Sequence, residues 1–399
     1  MRITGIAAEY NPLHNGHIYH IEKARELTEA DGIVAVMSGS FTQRGEPAVM
    51  DKWTRAKLAV INGIDLVFEL PFLYACAPAQ IFAEGSVDIL VRSGATHICF
   101  GSENGDIAVL REAAWEMADR ETDIAPLRRE IMKEGFSFAK ANQLAVEKVS
   151  GRRTADMMTS PNDILALEYL KRIYFWEKHG RHIEAVTVKR SGSGYYDADA
   201  DAGFAGATVI RRQIRCDSDI SIYVPENVRD ELDRFATNMP SDELMFQLVR
   251  ADVIRKTPDQ LSHIYCVGEG LEHKLKKEAV HSSSLDGLVS SVVSRRYTAA
   301  AVRRILVYIL LGIGSGTVPS GCYGRVLASG PGGRELIRRM KKDEMSEIPV
   351  ITNVNKEAHR FPEITETLGY DMLAADMYNI LAGRDLYRYS DRVFSGHFI

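Results

Sequence analysis

Two histidines separated by an asparagine and a glycine lie close to the start of the chain. His14, Asn15, Gly16 and His17 form a His-x-Gly-His motif between a short apolar segment and a predicted helix. The free N–H groups and the dipole at the start of such a helix attract phosphate. Gly16 has no Cβ to keep a phosphate away from the backbone. Imidazoles can donate hydrogen bonds to an α-phosphate as its negative charge grows, so the motif predicts nucleotide chemistry.

The same four residues are compatible with two other interpretations. Histidines on a surface loop would need no ligand, and four matched letters are a weak signal by themselves. A metal site built from His14, His17 and His20 is less favoured, because no carboxylate or cysteine cluster accompanies them. The context favours phosphate binding, since Pro12 stiffens the turn and the motif follows the first strand of an α/β pattern.

A second candidate phosphate element lies near the middle of the chain. Thr208 and Arg211 are spaced as Thr-x-x-Arg where a helix is predicted to begin. A hydroxyl, a helix N-terminus and a guanidinium together can hold outgoing phosphates. Lys189 and Arg190, at the end of a predicted strand, can also reach phosphates. A capped surface helix and solvated charges at a strand end are the alternatives.

The hydrophobic pattern predicts the scaffold that must position these residues. Short apolar segments predict strands at 2–8, 32–37, 65–69, 96–100 and 182–188. Helical segments between them predict a parallel sheet with right-handed crossovers. Strands one and four flank the expected switch point, where ligands bind at the carboxyl ends of strands. Gly101 follows strand four, and Asn162 either caps a helix or faces a ribose or base.

Beyond about residue 216 the strand signals fade and helical patterns dominate. Helices are predicted at 225–256, 270–280, 284–311 and 333–342. For 399 residues two domains are expected. The predicted fold class is α/β, with a Rossmann-like parallel-sheet domain at 1–215 and a mainly α-helical domain at 216–399.

Charge is unevenly distributed along the chain. The 49 Lys and Arg against 54 Asp and Glu give a net charge of −5, which argues against binding nucleic acid by bulk charge. Residues 291–342, however, contain ten basic residues and a single acid, Glu335. This segment is a candidate RNA-binding surface, and a solvated helix face is the alternative. The 45% of hydrophobic residues excludes a disordered chain.

Cysteine usage and hydropathy point to a cytoplasmic protein. The five cysteines are scattered and include no CxxC pair, as expected in a reducing compartment. The N-terminus has no signal-peptide pattern. The uncharged stretch 305–324 loses its hydrophobicity after Ile313, so no membrane span is predicted. The oligomeric state stays open.

Several segments are similar to the bacterial tRNA(Met) cytidine acetate ligase family of the HxGH nucleotidyltransferase-like superfamily. In chain order they are AEYNPLHNGHIYH, SGSFTQRGEPAVMDKWTRA, FGSE, SPNDILALEYLK, KRSGSGYYD and ATVIRR. The resemblance covers about the first 215 residues by motif and the rest in general layout. It implies a nucleotidyltransferase domain that activates acetate with ATP as acetyl-adenylate, with Mg²⁺ on the phosphates. The acetyl group would then pass to N4 of the wobble cytidine in elongator tRNA(Met).

The resemblance also implies a set of functional residues. The catalytic residues would be His14, His17, Thr208 and Arg211. The ATP-binding residues would be Ala7, Ala8, Glu9, Tyr10, Asn11, Pro12, Leu13, His14, Asn15, Gly16, His17, Ile18, Tyr19, His20, Gly101, Asn162, Lys189 and Arg190. The basic segment 291–342, and not a family motif, supplies the candidate tRNA-binding residues: Arg295, Arg296, Arg303, Arg304, Arg338 and Arg339. Ser40 departs from the family pattern, which has Asn or Asp there, so an amide or carboxylate role at this position is not carried over.

Two other functions stay open on the sequence alone. A small-molecule adenylyltransferase of the nicotinamide mononucleotide type would share the His-x-Gly-His motif. The chain length and the basic, helical second half count against it. A non-catalytic RNA-binding protein is the other alternative, and it would need neither the histidine pair nor the Thr-x-x-Arg element.

Overall fold

The computed structural model describes residues 1–190, 203–319, 321–342, 346–394 and 396–399, except for the side chain of Ala358. The strands are β1 Ile3–Ala8, β2 Gly32–Ser38, β3 Leu66–Leu70, β4 His97–Ser102, β5 Glu184–Lys189, β6 Gly324–Ser329, β7 Val350–Ile351 and β8 His397–Phe398. The helices are α1 Asn15–Thr28, α2 Lys52–Ile61, α3 Phe72–Ala75, α4 Ala79–Arg92, α5 Ile107–Asp119, α6 Glu121–Lys133, α7 Phe138–Ser150, α8 Arg152–Asp156, α9 Pro161–Lys178, α10 Ala207–Arg215, α11 Glu226–Phe235, α12 Asp242–Arg255, α13 Pro258–Ser262, α14 Leu271–His281, α15 Leu285–Val292, α16 Ala299–Leu311, α17 Pro331–Lys342, α18 Val354–Glu357, α19 Thr365–Leu381 and α20 Leu386–Tyr389.

The described strands form one sheet in the order β5-β4-β1-β2-β3-β6-β7, with β8 paired to β6. Strands β1 to β5 run parallel to their neighbours, whereas β6 runs antiparallel to β3. Because β1 lies between β2 and β4, the strand order reverses there. The predicted α/β class and the predicted switch point are confirmed, and the carboxyl ends of β1 and β4 meet at one edge.

Helices cover both faces of this sheet. All seven residues of β2 are buried. Val34 and Val36 belong to a core shared with α4 and α9, while Ile33 and Met37 belong to a core shared with α1 and α2. A strand buried on both faces needs no polar alternation, which explains the apolar segments seen in the sequence.

Although strand signals fade beyond about residue 216, one strand of the second half joins the sheet: β6 lies beside β3, and all six of its residues are buried. No strand was predicted for this segment, GRVLAS, in which Arg325 stands before a short apolar run. Burial of Arg325 becomes possible only through acids brought from elsewhere in the chain. The predicted domain boundary between 215 and 216 stays a prediction.

A buried ion cluster holds β6 in place. The Lys52 ammonium lies 2.6 Å from carboxylate oxygens of both Glu69 and Asp391. The Arg325 guanidinium lies 2.7 Å from Asp391 and 3.1 Å from Glu69. All four side chains are at most 3% exposed. Charges this deeply buried are stable only when paired, so α2, β3, β6 and the C-terminal tail are fixed together by opposite charge.

The helices predicted at 270–280 and 333–342 are observed as α14 and α17. The predicted spans 225–256 and 284–311 are each divided in two, into α11 and α12 and into α15 and α16. Helices α12, α14, α15 and α16 share an apolar core that also includes Phe41 and Phe72 from the first half. The second half therefore packs directly on the loops that follow β2 and β3. Across the described ranges, no helix combines the length and the hydrophobicity needed to cross a bilayer.

Candidate functional site

The His-x-Gly-His motif lies in the turn between β1 and α1. His14 is the N-cap of α1, and its Nδ1 accepts a hydrogen bond from the N–H of Gly16 at 3.1 Å. The Nδ1 of His17 accepts one from the N–H of His14 at 3.3 Å. The two rings stack with their centroids 3.7 Å apart. Because each Nδ1 is an acceptor, each neutral ring carries its proton on Nε2 and can donate it to a ligand.

Both histidines are neutral at pH 7. Burial, reinforced by the charges of Arg190 and Arg211, lowers the pKa of His14 to about 3. Burial and the nearby His14 and Arg190 lower the pKa of His17 well below its usual value. The pair therefore offers hydrogen-bond donors and no charge, and the two arginines supply the positive potential.

The Thr-x-x-Arg element lies beside this turn. Thr208 and Arg211 share one face of α10, which begins at Ala207. The Nη1 of Arg211 donates to the backbone oxygen of Asn11 at 3.0 Å, and Nη2 lies 3.5 Å from the hydroxyl of Thr208. A carboxylate oxygen of Glu46 is 3.6 Å from the same guanidinium. The two motifs found in the sequence therefore meet in space.

The carboxyl end of β4 and the start of α9 form a third side of the site. The Glu103 carboxylate accepts hydrogen bonds from the amide of Asn162 at 2.6 Å and from the N–H of Asp163 at 3.0 Å. The Asp163 carboxylate in turn accepts from the N–H of Glu103 at 2.9 Å. Arg190 donates to the Asn162 side-chain oxygen at 3.2 Å. Asn162 therefore does not cap α9, and Glu103 and Asp163, which were not predicted, orient it.

Gly101 lies beside the Arg190 side chain at the end of β4. A Cβ added at Gly101 would meet that side chain at 3.5 Å, an ordinary contact. The stem of Lys189 lies against Gly105. The Ser-Gly-Ser-Gly stretch that follows Arg190, residues 191–194, lies outside the described residues.

Arg55 is a positioning residue that was not predicted. It is fully buried, and its Nη1 donates to the carbonyls of Glu9 at 2.6 Å and Ser38 at 3.0 Å. It also donates to the carbonyls of Gly39 and Met50. Because Glu9 follows β1 and Ser38 ends β2, the Arg55 side chain connects the carboxyl ends of these two strands and holds the residue from which the histidine turn begins. An arginine among the apolar residues of the inner face of α2, which also buries Lys52, was the signal available in the sequence.

The remaining residues of the predicted ATP segment contribute in different ways. Ala7 and Ala8 end β1. The Tyr10 ring lies edge-on to His17, with centroids 5.1 Å apart, and burial raises the Tyr10 pKa. The peptide bond before Pro12 is cis. These residues shape the wall of the turn more than they offer polar groups to a ligand.

Two further members of that segment serve packing. Leu13 is fully buried in the core and Ile18 packs against it, so both can offer a ligand only their backbone atoms.

Asn15 donates its side-chain amide to the carbonyls of Gly203 and Ile222 at 3.0 and 2.9 Å. It ties the start of α1 to the residues around α10.

The two aromatic residues that end the segment differ in exposure. The ring of Tyr19 is 38% exposed and lies edge-on to Phe204. His20 is near the thiol of Cys99, with Nε2 3.5 Å from Sγ. Burial, reinforced by Arg190, lowers the pKa of His20 to about 4. A third neutral imidazole therefore lies one helical turn beyond His17.

The predicted tRNA-binding arginines occupy three separate places. Arg303 pairs with Asp286 at 2.6 Å and with Glu46 at 3.5 Å. Arg304 donates to the backbone oxygen of Gln43 at 3.0 Å. These two arginines hold α16 against the loop between β2 and α2, close to Arg211.

The second pair lies beside α6. Arg295 is exposed, and its guanidinium is 3.4 Å from the centroid of the Phe136 ring. Arg296 forms an ion pair with Glu269 and donates to the backbone oxygen of Met132 at 2.8 Å. Arg295 is therefore the member of this pair that presents charge to solvent.

The third pair is on α17. Arg338 and Arg339 both bind the Glu335 carboxylate, at 2.6 and 2.9 Å. Arg339 also lies 3.6 Å from the sulfur of Met1, which precedes β1. The histidine motif follows β1, so these two arginines lie at the opposite end of that strand.

Among the residues that the structure describes, no group of three or more His, Cys, Asp and Glu is arranged to hold a metal ion. The carboxylate nearest to Asn162, that of Glu103, already accepts two hydrogen bonds. A divalent cation would therefore need ligands from a bound substrate.

A parallel sheet with histidine donors and arginines at a switch point defines a nucleotide-binding α/β protein. Residues 1–391 match the family described as HIGH Nucleotidyl Transferase. The chain is 37% identical to a tRNA(Met) cytidine acetate ligase of Caldicellulosiruptor saccharolyticus, across 100% of this chain and 98% of that protein. It is 36% identical to one from Thermoanaerobacter sp., across 95% of each chain.

Solved structures of similar fold support the same family assignment. The fold superposes on Thermotoga maritima TmcAL in its apo form with a TM-score of 0.88, and on the same protein bound with alpha-thio ATP with a TM-score of 0.87. Both comparisons cover 100% of each chain at 28% identity. The chain belongs to the HIGH nucleotidyl transferase family and, within it, to the family of tRNA(Met) cytidine acetate ligases.

Proposed function

We propose that this chain activates acetate with ATP and acetylates N4 of the wobble cytidine in elongator tRNA(Met). The observation that carries the proposal is the convergence of His14, His17, Arg190 and Arg211 at the start of α1. The full-length similarity to tRNA(Met) cytidine acetate ligases supports it. Two neutral donors beside two guanidinium groups suit a polyphosphate, since the arginines attract it and the imidazoles bond its oxygens.

In the first step, a carboxylate oxygen of acetate attacks the α-phosphorus of ATP. The bond from that phosphorus to the bridging oxygen breaks, and pyrophosphate leaves. His14 and His17 would donate from Nε2 to the α-phosphate oxygens as charge builds there. Thr208, Arg211 and the start of α10 would hold the pyrophosphate. Adenylation thereby gives acetate the leaving group that it lacks.

In the second step, N4 of cytidine attacks the acetyl carbonyl. The bond between the carbonyl carbon and the phosphate oxygen breaks, AMP leaves, and N4 releases one proton. The chain need only align the two reactants, which is worth several powers of ten in rate. No covalent bond to the protein is formed in either step.

Magnesium would enter this site with the triphosphate. Mg²⁺ prefers oxygen ligands and keeps several waters, so phosphate oxygens and water would complete its coordination. When bound, it would neutralise charge on the leaving pyrophosphate. The residues of this chain would orient the phosphates around it through Arg190 and Arg211.

The tRNA would be bound through the basic segment 291–342. Arg295 and Arg338 are its exposed members among the predicted arginines, while Arg303 and Arg304 lie nearest to Arg211. Contacts from such arginines to RNA phosphates would make binding weaken as salt increases.

The test is acetate-dependent exchange of labelled pyrophosphate into ATP, followed by mass spectrometry of tRNA nucleosides after incubation with labelled acetate. We expect acetate to stimulate exchange without tRNA, and labelled N4-acetylcytidine to appear when elongator tRNA(Met) is added. His17→Ala should abolish exchange, whereas His179→Ala, an exposed histidine after α9, should not.

Other outcomes separate the alternatives. Exchange that requires a mononucleotide instead of acetate would favour a small-molecule adenylyltransferase. RNA binding with neither exchange nor acetylation would favour a non-catalytic RNA-binding protein.

A further inference from the structure

A cleft of about 490 Å³ lies between the start of α2 and the C-terminal elements α19 and α20. Aromatic rings form much of its lining: Trp53, Tyr378, Tyr389 and Phe394. Trp53 and Phe394 pack on each other, with centroids 5.5 Å apart. Acetate has four heavy atoms and would leave most of this volume unfilled. The walls suit a planar ligand of larger size.

Two polar atoms in the lining lack partners. The hydroxyl of Tyr378 and the Oδ1 of Asp391 are buried, and neither has a hydrogen-bond partner within the described part of the chain. The two residues are only 1% and 2% exposed. A buried hydroxyl and a buried carboxylate oxygen left unpaired are costly, so a water or a ligand in the cleft would supply the partner. Oδ2 of Asp391 already pairs with Lys52 and Arg325, and a ligand bound to the free Oδ1 would need to carry a donor.

The cleft shares a wall with the proposed ATP site. The loop 39–51 joins β2 to α2, and both Ser40 and Asp51 line the cleft. In the same loop, the N–H of Val49 donates to the side-chain oxygen of Asn11 at 2.8 Å. One loop therefore contacts the histidine turn and also borders the cleft.

A second contact connects the two places. Tyr378 packs against Ala48 of this loop. Arg55 binds the carbonyl of Glu9 and lies on α2, whose residues Trp53 and Thr54 line the cleft. The unpaired hydroxyl is thus near the layer of residues that fixes the end of β1.

One side of the rim carries two cations against one acid, while the exposed Asp385 adds a carboxylate elsewhere in the lining. Lys57 and Arg234 both pair with Glu231, at 3.5 and 3.0 Å. The arginine is 71% exposed and the lysine 39%, while the carboxylate is 16% exposed. Two exposed cations that share one carboxylate leave charge available for a phosphate of a nucleic-acid backbone.

We propose that this cleft receives one unstacked base of the RNA substrate, a base that carries an exocyclic amino group. The proposal rests on the proposed function, which supplies the RNA. The base stacks on the aromatic walls, its amino group donates to Oδ1 of Asp391, and the Tyr378 hydroxyl bonds a second polar atom of its edge. Cytosine fulfils these requirements, whereas uracil lacks the amino group.

The test uses an RNA hairpin whose loop contains one cytidine, and a second hairpin with uridine at that position. Binding is measured by fluorescence anisotropy with the wild type, Tyr389→Ala, Tyr378→Phe and Tyr387→Ala. Tyr389 lines the cleft, whereas Tyr387 is 87% exposed and lies two positions away outside it. Tyr378→Phe removes only a hydroxyl without a partner, so this variant should fold with an unchanged or higher melting temperature.

We expect the cytidine hairpin to bind the wild type several-fold more tightly than the uridine hairpin. Tyr389→Ala should weaken binding of the cytidine hairpin about tenfold, the usual loss when one stacking ring is removed. Tyr378→Phe should reduce the preference for cytidine, and Tyr387→Ala should change nothing. Equal affinities for both hairpins, or an equal effect of Tyr389→Ala and Tyr387→Ala, would overturn the proposal.

Two measurements separate this proposal from the proposed function. Hairpin binding is measured without ATP or acetate, so an inactive wild type would refute the ligase function and still test the cleft. Conversely, acetylation by Tyr389→Ala with an unchanged KM for tRNA would refute the cleft alone. Free cytidine monophosphate is added as a competitor. If it binds as tightly as the hairpin does, the cleft is a site for a free nucleotide, and the RNA assignment is overturned.

Discussion

Arg211 donates a hydrogen bond to the backbone oxygen of Asn11, although 200 positions of sequence separate them. This contact joins the helix that begins at Ala207 to the turn that carries His14 and His17. It places a guanidinium beside two neutral imidazoles, and the charge of Arg211 contributes to the low pKa of His14. The two motifs therefore form one site only because the chain folds back after β5.

Replacing Arg211 with Ala should reduce acetate-dependent pyrophosphate exchange by about 100-fold or more, the usual loss for one preorganised donor to a developing charge. Arg212→Ala is the matched control, since Arg212 is the next residue on α10 and is exposed. The measurement is the steady-state rate of pyrophosphate exchange for each of the two variants. Equal losses would mean that the effect comes from the helix and not from the position of Arg211.

The buried histidines make stability depend on pH. The pKa of His20 is about 4 in the folded chain and about 6.5 when exposed. The unfolded state therefore binds more protons between these values, and stability falls as pH falls from about 6.5 to 4. His20→Gln removes one such group, so its unfolding free energy should depend less steeply on pH, by up to about 1.4 kcal/mol per pH unit. Urea denaturation between pH 7 and 4.5 measures this slope, and an unchanged slope would contradict the prediction.

The buried ion cluster should be sensitive to loss of a single charge. Lys52→Met leaves Glu69 and Asp391 with one cation, Arg325, and should destabilise the chain by about 3–5 kcal/mol. Lys57→Met is the control on the same helix, because Lys57 is 39% exposed and its ion pair is worth about 0–1 kcal/mol. Chemical denaturation of both variants gives the comparison. A similar small cost for the two would show that the buried charges do not hold β6.

Among the predicted RNA-binding arginines, Arg295 offers a direct test of phosphate binding. Arg295→Gln should weaken tRNA binding and reduce the slope of log affinity against log salt by about one. Acetate-dependent exchange should not change. Arg152→Gln, at a residue 82% exposed outside the basic segment, is the control. Filter binding over a series of salt concentrations provides the slopes, and identical slopes for both variants would remove Arg295 from the RNA surface.

The sequence by itself determined the parallel sheet and the position of the histidine motif. Strands such as GIVAVM are short apolar runs, and a strand, a turn with Asn11 and Pro12, and a helix start are all local signals. The switch point followed from the same local order, because alternating strands and helices allow few topologies. The Thr-x-x-Arg spacing was also visible, since residues three apart share a helix face.

Only the tertiary structure decided which charges are paired and which are unsatisfied. Arg325 belongs to the basic segment 291–342, yet it is buried in β6, where Glu69 and Asp391 pair with it. Arg304, predicted to bind tRNA, donates to the carbonyl of Gln43. The pKa of a histidine, and whether an arginine is paired or exposed, depend on residues far along the chain. Such long-range pairing leaves no periodic pattern in the sequence.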